Sequence, residues 1–138
     1  MRRIAAILSF VVFIAAAASA PADTREQAAS AAGEKWLVLV DGGHYGESWD
    51  GASSAFKRAV SKEQWKGLLK ANRRPLGDLK SRTQKSATYT TSLPGAPDGE
   101  YVVLVFDSSF ANKKAAIETL TMSLDKNGEW RSAGYFIR

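Results

Sequence analysis

Residues 100–138, EYVVLVFDSSFANKKAAIETLTMSLDKNGEWRSAGYFIR, leave this chain the fewest folds. Three runs rich in Val, Ile, Thr, Phe and Tyr are separated by short polar segments with turn residues, the pattern of successive antiparallel strands. Asp125-Lys126-Asn127-Gly128 suits a type I turn closed by a glycine at positive φ, a common three-residue hairpin loop. With Asp125 facing Glu129, the register sets Leu124 opposite Trp130, Met122 opposite Ser132, Leu120 opposite Gly134 and Glu118 opposite Phe136. That face is apolar with a single carboxylate in it. In the preceding strand Val102, Leu104, Phe106 and Phe110 alternate onto the same face, and Tyr101, Val103 and Val105 onto the other.

Upstream, the periodicity changes from two to that of a helix. Ala29, Ala32, Trp36, Leu39 and Val40 recur at helical spacing, with Asp23 or Thr24 as N-cap and Asp41-Gly42-Gly43 as a glycine stop. Tyr45, Trp49, Ala52, Phe56 and Val60 form a second stripe, which Gly46 and Gly51 weaken into a bent or broken segment. Ser61-Lys62-Glu63-Gln64 matches a capping box. It opens a third helix whose face is Trp65, Leu68, Leu69 and Asn72 and which Pro75 stops. Residues 79–93, LKSRTQKSATYTTSL, then read as an edge strand protected by its lysines, and Pro94–Gly99 as a double turn. The layout is α+β: N-terminal helices packed on a four-stranded antiparallel meander. Trp36, Trp49, Phe56 and Trp65 should meet the apolar sheet face.

The N-terminus stands apart. Met1-Arg2-Arg3 followed by the apolar run Ile4–Ala18 and small residues is the pattern of a secretory signal peptide, and the run is shorter than the ~20 residues of a spanning helix. Cleavage after Ala20 would leave Pro21 first, so the mature start is expected at Asp23, with residues 1–22 removed and 23–138 forming one domain. With 138 residues, 45% of them hydrophobic, there is room for one core. There is no cysteine, so neither a disulfide framework nor a lipoprotein anchor is available. A periplasmic location follows as the expectation, with no membrane attachment after cleavage. Removing Arg2 and Arg3 lowers the formal net charge from +5 to +3; the remaining excess is scattered and forms no stripe of the nucleic-acid-binding kind.

Chemistry-bearing residues are few. Glu118, a carboxylate on an apolar face, needs a basic partner or a raised pKa, and Arg74 or Arg82 is placed to supply the partner. His44 is the only histidine. It lies among Asp41, Glu47, Ser48 and Asp50, but crowding along a glycine-rich turn is not a Ser/His/Asp constellation, and the spacing fits no calcium loop. No metal site and no cofactor motif is present. Tyr45, Trp49 and Tyr89, with Glu118, are candidates to line a small-molecule pocket, although aromatics at helical spacing are ordinarily core. On the outer sheet face Tyr101, Val103, Val105, Ile117, Tyr135 and Ile137 make a patch more apolar than solvent exposure calls for, and a self-complementary patch forms a two-fold dimer.

WLVLVDGGHYGESWDGASSAFKRAVSKEQW, RRPLGDLKSR, LPGAPDGEYVVLVF and IETLTMSLDKNGEWRSAGYFIR, in this order and spacing, closely resemble the bacterial domain-of-unknown-function family 4019 over essentially the whole mature chain. The resemblance implies an exported protein, an unassigned activity and an α+β roll of the cystatin-like or nuclear-transport-factor-2-like type. It carries no catalytic residues. The functional expectation is a non-catalytic periplasmic binding or interaction module, a homodimer or a partner of another envelope protein. The alternative is a pocket enzyme of isomerase or hydratase type, with Glu118 as general base and Tyr45 as hydrogen-bond donor.

Overall fold

The computed structural model describes residues 22–138, so the signal-peptide expectation lies outside the described residues. Four helices, α1 (Ala22–Asp41), α2 (Tyr45–Asp50), α3 (Ser54–Ala59) and α4 (Lys62–Asn72), precede four strands, β1 (Leu79–Thr90), β2 (Tyr101–Phe110), β3 (Lys113–Leu124) and β4 (Trp130–Ile137). The strands form one antiparallel meander in the order β1-β2-β3-β4. This is the α+β arrangement read from the sequence. Among the described residues no helix is long and apolar enough to cross a membrane.

Local chemistry sets the helix boundaries. α1 is already helical at Ala22, ahead of the expected N-cap. It ends in a Schellman motif: Gly43 has φ 77°, its N–H bonds the Val40 carbonyl and the His44 N–H bonds that of Leu39. The second stripe is broken at residues 51–53, where Ser53 caps α3 by accepting from the Phe56 N–H. The capping box is complete at Ser61 and Gln64, and α4 buries Trp65 and Leu69.

The core lies between α1, α2 and α4 and one sheet face. Val102, Leu104, Phe106, Leu120 and Met122 supply the sheet side, and Trp36, Leu37, Val40, Tyr45, Trp65 and Leu69 the helical side. At about 1.5–3 kcal/mol for each large side chain buried, this set can hold the domain without covalent staples. α1 approaches closely at Gly33, where an added Cβ would lie 2.6 Å from Leu104 Cδ1. Ser48 ties the tryptophans together. Its carbonyl accepts from Trp36 Nε1 at 2.8 Å, and its hydroxyl accepts from Trp65 Nε1 at 2.9 Å while donating to the Tyr45 carbonyl at 2.6 Å.

Both sheet edges are modified. β1 carries an extra residue relative to β2 at Lys80 and again at Lys85, so each bulge in this edge strand presents a lysine. On β4 the carbonyl of buried Ser132 accepts from the Ser53 N–H at 2.8 Å, beside a parallel bridge between Ala52 and Ser132.

The register of the last hairpin corrects the sequence expectation. Leu124 faces Trp130 and Met122 faces Ser132 as expected, but Thr121 pairs with Gly134, Leu120 with Tyr135 and Glu118 with Ile137. Ala133 is a bulge beside a glycine, where the ladder gives way most easily. Beyond it every side chain changes face. Tyr135 and Ile137 therefore join the core face and leave the outer patch, while Phe136 turns outward and is 55% exposed. Tyr101 keeps its outer-face register, but its hydroxyl donates to the Pro97 carbonyl at 2.6 Å and it is only 8% exposed, so the loop before β2 covers it.

Candidate functional site

Six elements converge on one polar cluster inside the core: Asp41 ends α1, Arg73 caps α4, and Arg82, Ser108, Glu118 and Tyr135 come from β1, β2, β3 and β4 in turn. Strand alternation places the last four. Arg82 pairs with Ser108, Ser108 with Ala116 and Leu120 with Tyr135, which brings these side chains to the core face around Glu118.

Glu118 is 0% exposed. Its Oε1 accepts from Arg82 Nε at 2.7 Å and from the Ser108 hydroxyl; its Oε2 accepts from Arg82 Nη2 at 3.0 Å and from the Tyr135 hydroxyl. Two donors on each oxygen fill the roughly four acceptor positions of a carboxylate. Arg82 turns its other edge to Asp41, with Nη1 to Oδ2 at 2.7 Å and Nη2 to Oδ1 at 3.0 Å. Arg73 Nη2 donates to the same carboxylate at 3.2 Å and its Nη1 to the Gly77 carbonyl at 2.7 Å, while its guanidinium lies 4.4 Å above the Phe110 ring. Two carboxylates and two guanidiniums leave the cluster with no net charge.

Burial disfavours the Arg82 cation, but the hydrogen bonds and charges of Asp41 and Glu118 outweigh it and hold the guanidinium above its ordinary pKa. Tyr135 is pushed above the ordinary phenol range by burial, then by the Glu118 charge and the bond to it. The phenol therefore stays a neutral donor, and its ring meets Trp36 edge to face at 5.5 Å. Asp41 is the unusual member, because an anion at a helix C-terminus opposes the macrodipole. Two guanidiniums compensate it.

Of the proposed basic partners, Arg82 is the one that reaches Glu118; Arg74 is exposed. The remaining pocket candidates do not gather around the carboxylate. Tyr45 belongs to the aromatic core, and Trp49 donates from Nε1 to the Val60 carbonyl at 2.7 Å with Lys57 above its ring. Tyr89 bonds Glu100 at 3.0 Å and lies under Arg25. Its partner Val102 is four residues along β2 from Phe106, the partner of Glu118, a separation of about 13 Å. Around His44 no triad forms. Ser48 bonds Tyr45 and Trp65, Asp50 pairs with Lys62, and the imidazole lies exposed 3.5 Å from Glu47. Among the described residues no group of His, Cys, Asp or Glu is placed to hold a metal ion.

Sequence reasoning passed over Arg73 and Ser108, weighed Asp41 only beside His44, and set Tyr135 on the outer face. Asp41 carried the signal of an acid in an unfavourable helix position, and Ser108 that of a polar residue in phase with Phe106 and Phe110. Tyr135 carried none, since only the bulge brings it inward.

No curated protein and no solved structure matches the chain. All six residues of the cluster fall within the span that a family model recognises, and on that match over residues 32–135 the chain belongs to the family described as Protein of unknown function (DUF4019).

Proposed function

We propose that this protein is a non-catalytic binding or protein-interaction module of the periplasm, exported by its N-terminal segment and associating as a homodimer through the outer face of its sheet. The observation that carries this is Glu118. A general base must offer a free lone pair to a substrate proton, and each of the four acceptor positions on this carboxylate meets an internal donor. The cluster ties six elements together and supports the reading of a structural knot.

The outer face supports self-association. Val103, Val105 and Ile117 are half-buried, Phe136 is exposed, and Thr88, Thr119 and Thr121 lie among them in register. Asp107 and Arg138 flank Ile117 and Arg131 pairs with Ser123, so the apolar centre has a rim carrying both signs of charge, which a two-fold copy can meet with opposite charges facing. Sedimentation velocity on the mature protein should give a dimer, and Val105→Glu a monomer that melts normally. A monomeric wild-type protein, or a dimer that survives Val105→Glu, overturns the association.

A further inference from the structure

β4 has a second unpaired surface, its free edge. Ile117 and Arg138 exchange both backbone hydrogen bonds, at 2.8 and 3.0 Å. In an antiparallel ladder, the residues of such pairs alternate with residues whose N–H and C=O point away. The Thr119–Phe136 and Thr121–Gly134 pairs therefore also face inward, and Tyr135 and Ile137 turn their backbone groups to the outer edge. Among the described residues these outward groups have no backbone partner.

Beside this edge lies a cleft of about 210 Å³ between α4 and β4, walled by Trp65, Leu68 and Leu69 on one side and Tyr135, Phe136 and Ile137 on the other. Leu68 is 49% exposed, an apolar side chain at a mainly apolar slot that Asn72 and Arg73 also line. The volume lies below the ~300–1,000 Å³ of a typical small-molecule pocket and suits one large side chain of a longer ligand.

Three observations fix what kind of ligand. The free backbone groups call for a strand. The same edge is already paired once by the chain itself, where Ala52 and Ser53 lie parallel to β4 at Ser132, so an added strand would continue an existing contact. Finally, Lys70 and Arg74, sequence neighbours of the groove residues Leu69 and Arg73, are exposed and form no ion pair among the described residues. We propose that the groove between α4 and the free edge of β4 takes an extended segment of a partner protein as a fifth strand, a segment with a large aliphatic side chain for the cleft and a carboxylate near it.

This deepens the interaction-module reading and rests on it, but it uses a different surface, so the two fail separately: Val105→Glu tests the outer face by mass, and Leu68→Asp tests the groove by binding. The probe is a fluorescein-labelled hexapeptide of threonine, valine, threonine, leucine, threonine and glutamate, titrated by fluorescence anisotropy. Saturable binding is expected, weakened at least tenfold by Leu68→Asp and severalfold when the peptide's glutamate becomes glutamine. Two further peptides carry backbone N-methyl groups in alternate frames. Strand pairing uses the amides of one frame only, so one methylated peptide should lose binding and the other keep it. No saturation below about 1 mM, equal behaviour of the two frames, or unchanged binding by Leu68→Asp overturns the proposal. So does a dimer that Ile137→Pro dissociates, because the edge would then belong to a second copy.

Discussion

Substituting Glu118 by Gln keeps the shape of the side chain and removes its charge, so the consequence can be worked from the four bonds it accepts. The amide has one acceptor oxygen and one NH₂. In either orientation that NH₂ faces an Arg82 N–H, from Nε if it replaces Oε1 or from Nη2 if it replaces Oε2. The cluster also changes from neutral to one net positive charge at a site that is 0% exposed. Breaking a buried ion pair by removing one partner costs about 3–5 kcal/mol. At roughly 4 °C per kcal/mol for a domain of this size, the midpoint of thermal unfolding should fall by ~12–20 °C. Removing both members should hurt less. Glu118→Leu with Arg82→Met leaves Asp41 and Arg73 paired, and apolar replacements of buried pairs are often neutral. Ser108 and Tyr135 then lose their acceptor, which costs about 1–3 kcal/mol. All four tryptophans lie in the folded part, so fluorescence-monitored urea unfolding of wild type, both singles and the double gives the coupling. A Glu118→Gln midpoint within ~2 °C of wild type, or a double variant as unstable as the two singles summed, would refute the ion-pair account.

Three further outcomes are expected. Because Tyr135 has its pKa raised on folding, its contribution is complete below the unfolded phenol pKa of about 10 and is lost as pH rises above it. Between pH 10 and 11 the unfolding free energy of wild type should fall by about 1 kcal/mol more than that of Tyr135→Phe; parallel slopes would exclude this titration. Ser48→Ala leaves the Trp65 indole N–H and the Tyr45 carbonyl without their partner, so chemical denaturation should show a loss of roughly 1–3 kcal/mol. Gly33→Ala gains about 1 kcal/mol in helix propensity but drives a methyl to 2.6 Å from Leu104 Cδ1 and 3.1 Å from Leu120 Cδ2. Overpacking of ~1–3 kcal/mol should prevail; a raised melting temperature would mean that the leucines repack freely.

Much of the fold was legible because its signals are local. Ser61 and Gln64 announce α4 by their own hydrogen bonds, Gly43 stops α1 through its positive φ, and Asp125–Gly128 folds the last hairpin. Glu118 was placed inward correctly because the leucine and methionine two and four residues away fix its phase on β3. Its surroundings were less visible, since Asp41, Arg73 and Arg82 meet only once the ends of α1 and α4 pack over the sheet. Arg73 looks in sequence like half of a surface doublet, yet it is 3% exposed and its neighbour Arg74 is the exposed member. Ile137 and Tyr135 were assigned to the wrong face by an alternation that is sound as far as Ser132 and fails at Ala133. A bulge is a tertiary decision, taken here where β4 also binds Ser53, and no periodicity announces it.

That one inserted residue gives β4 a property that composition does not express. Upstream of Ala133, the strand could be exchanged for any segment with the same alternation; downstream, the segment is in the opposite phase, and the two halves are compatible only at their present combined length. A single-residue deletion there would be a frameshift in space: it would carry Phe136 into the place of the Tyr135 phenol and send that phenol into solvent, taking a donor from Glu118. Sequence distance between Ser132 and Tyr135, and not only the identity of either residue, is thus part of what holds the buried carboxylate.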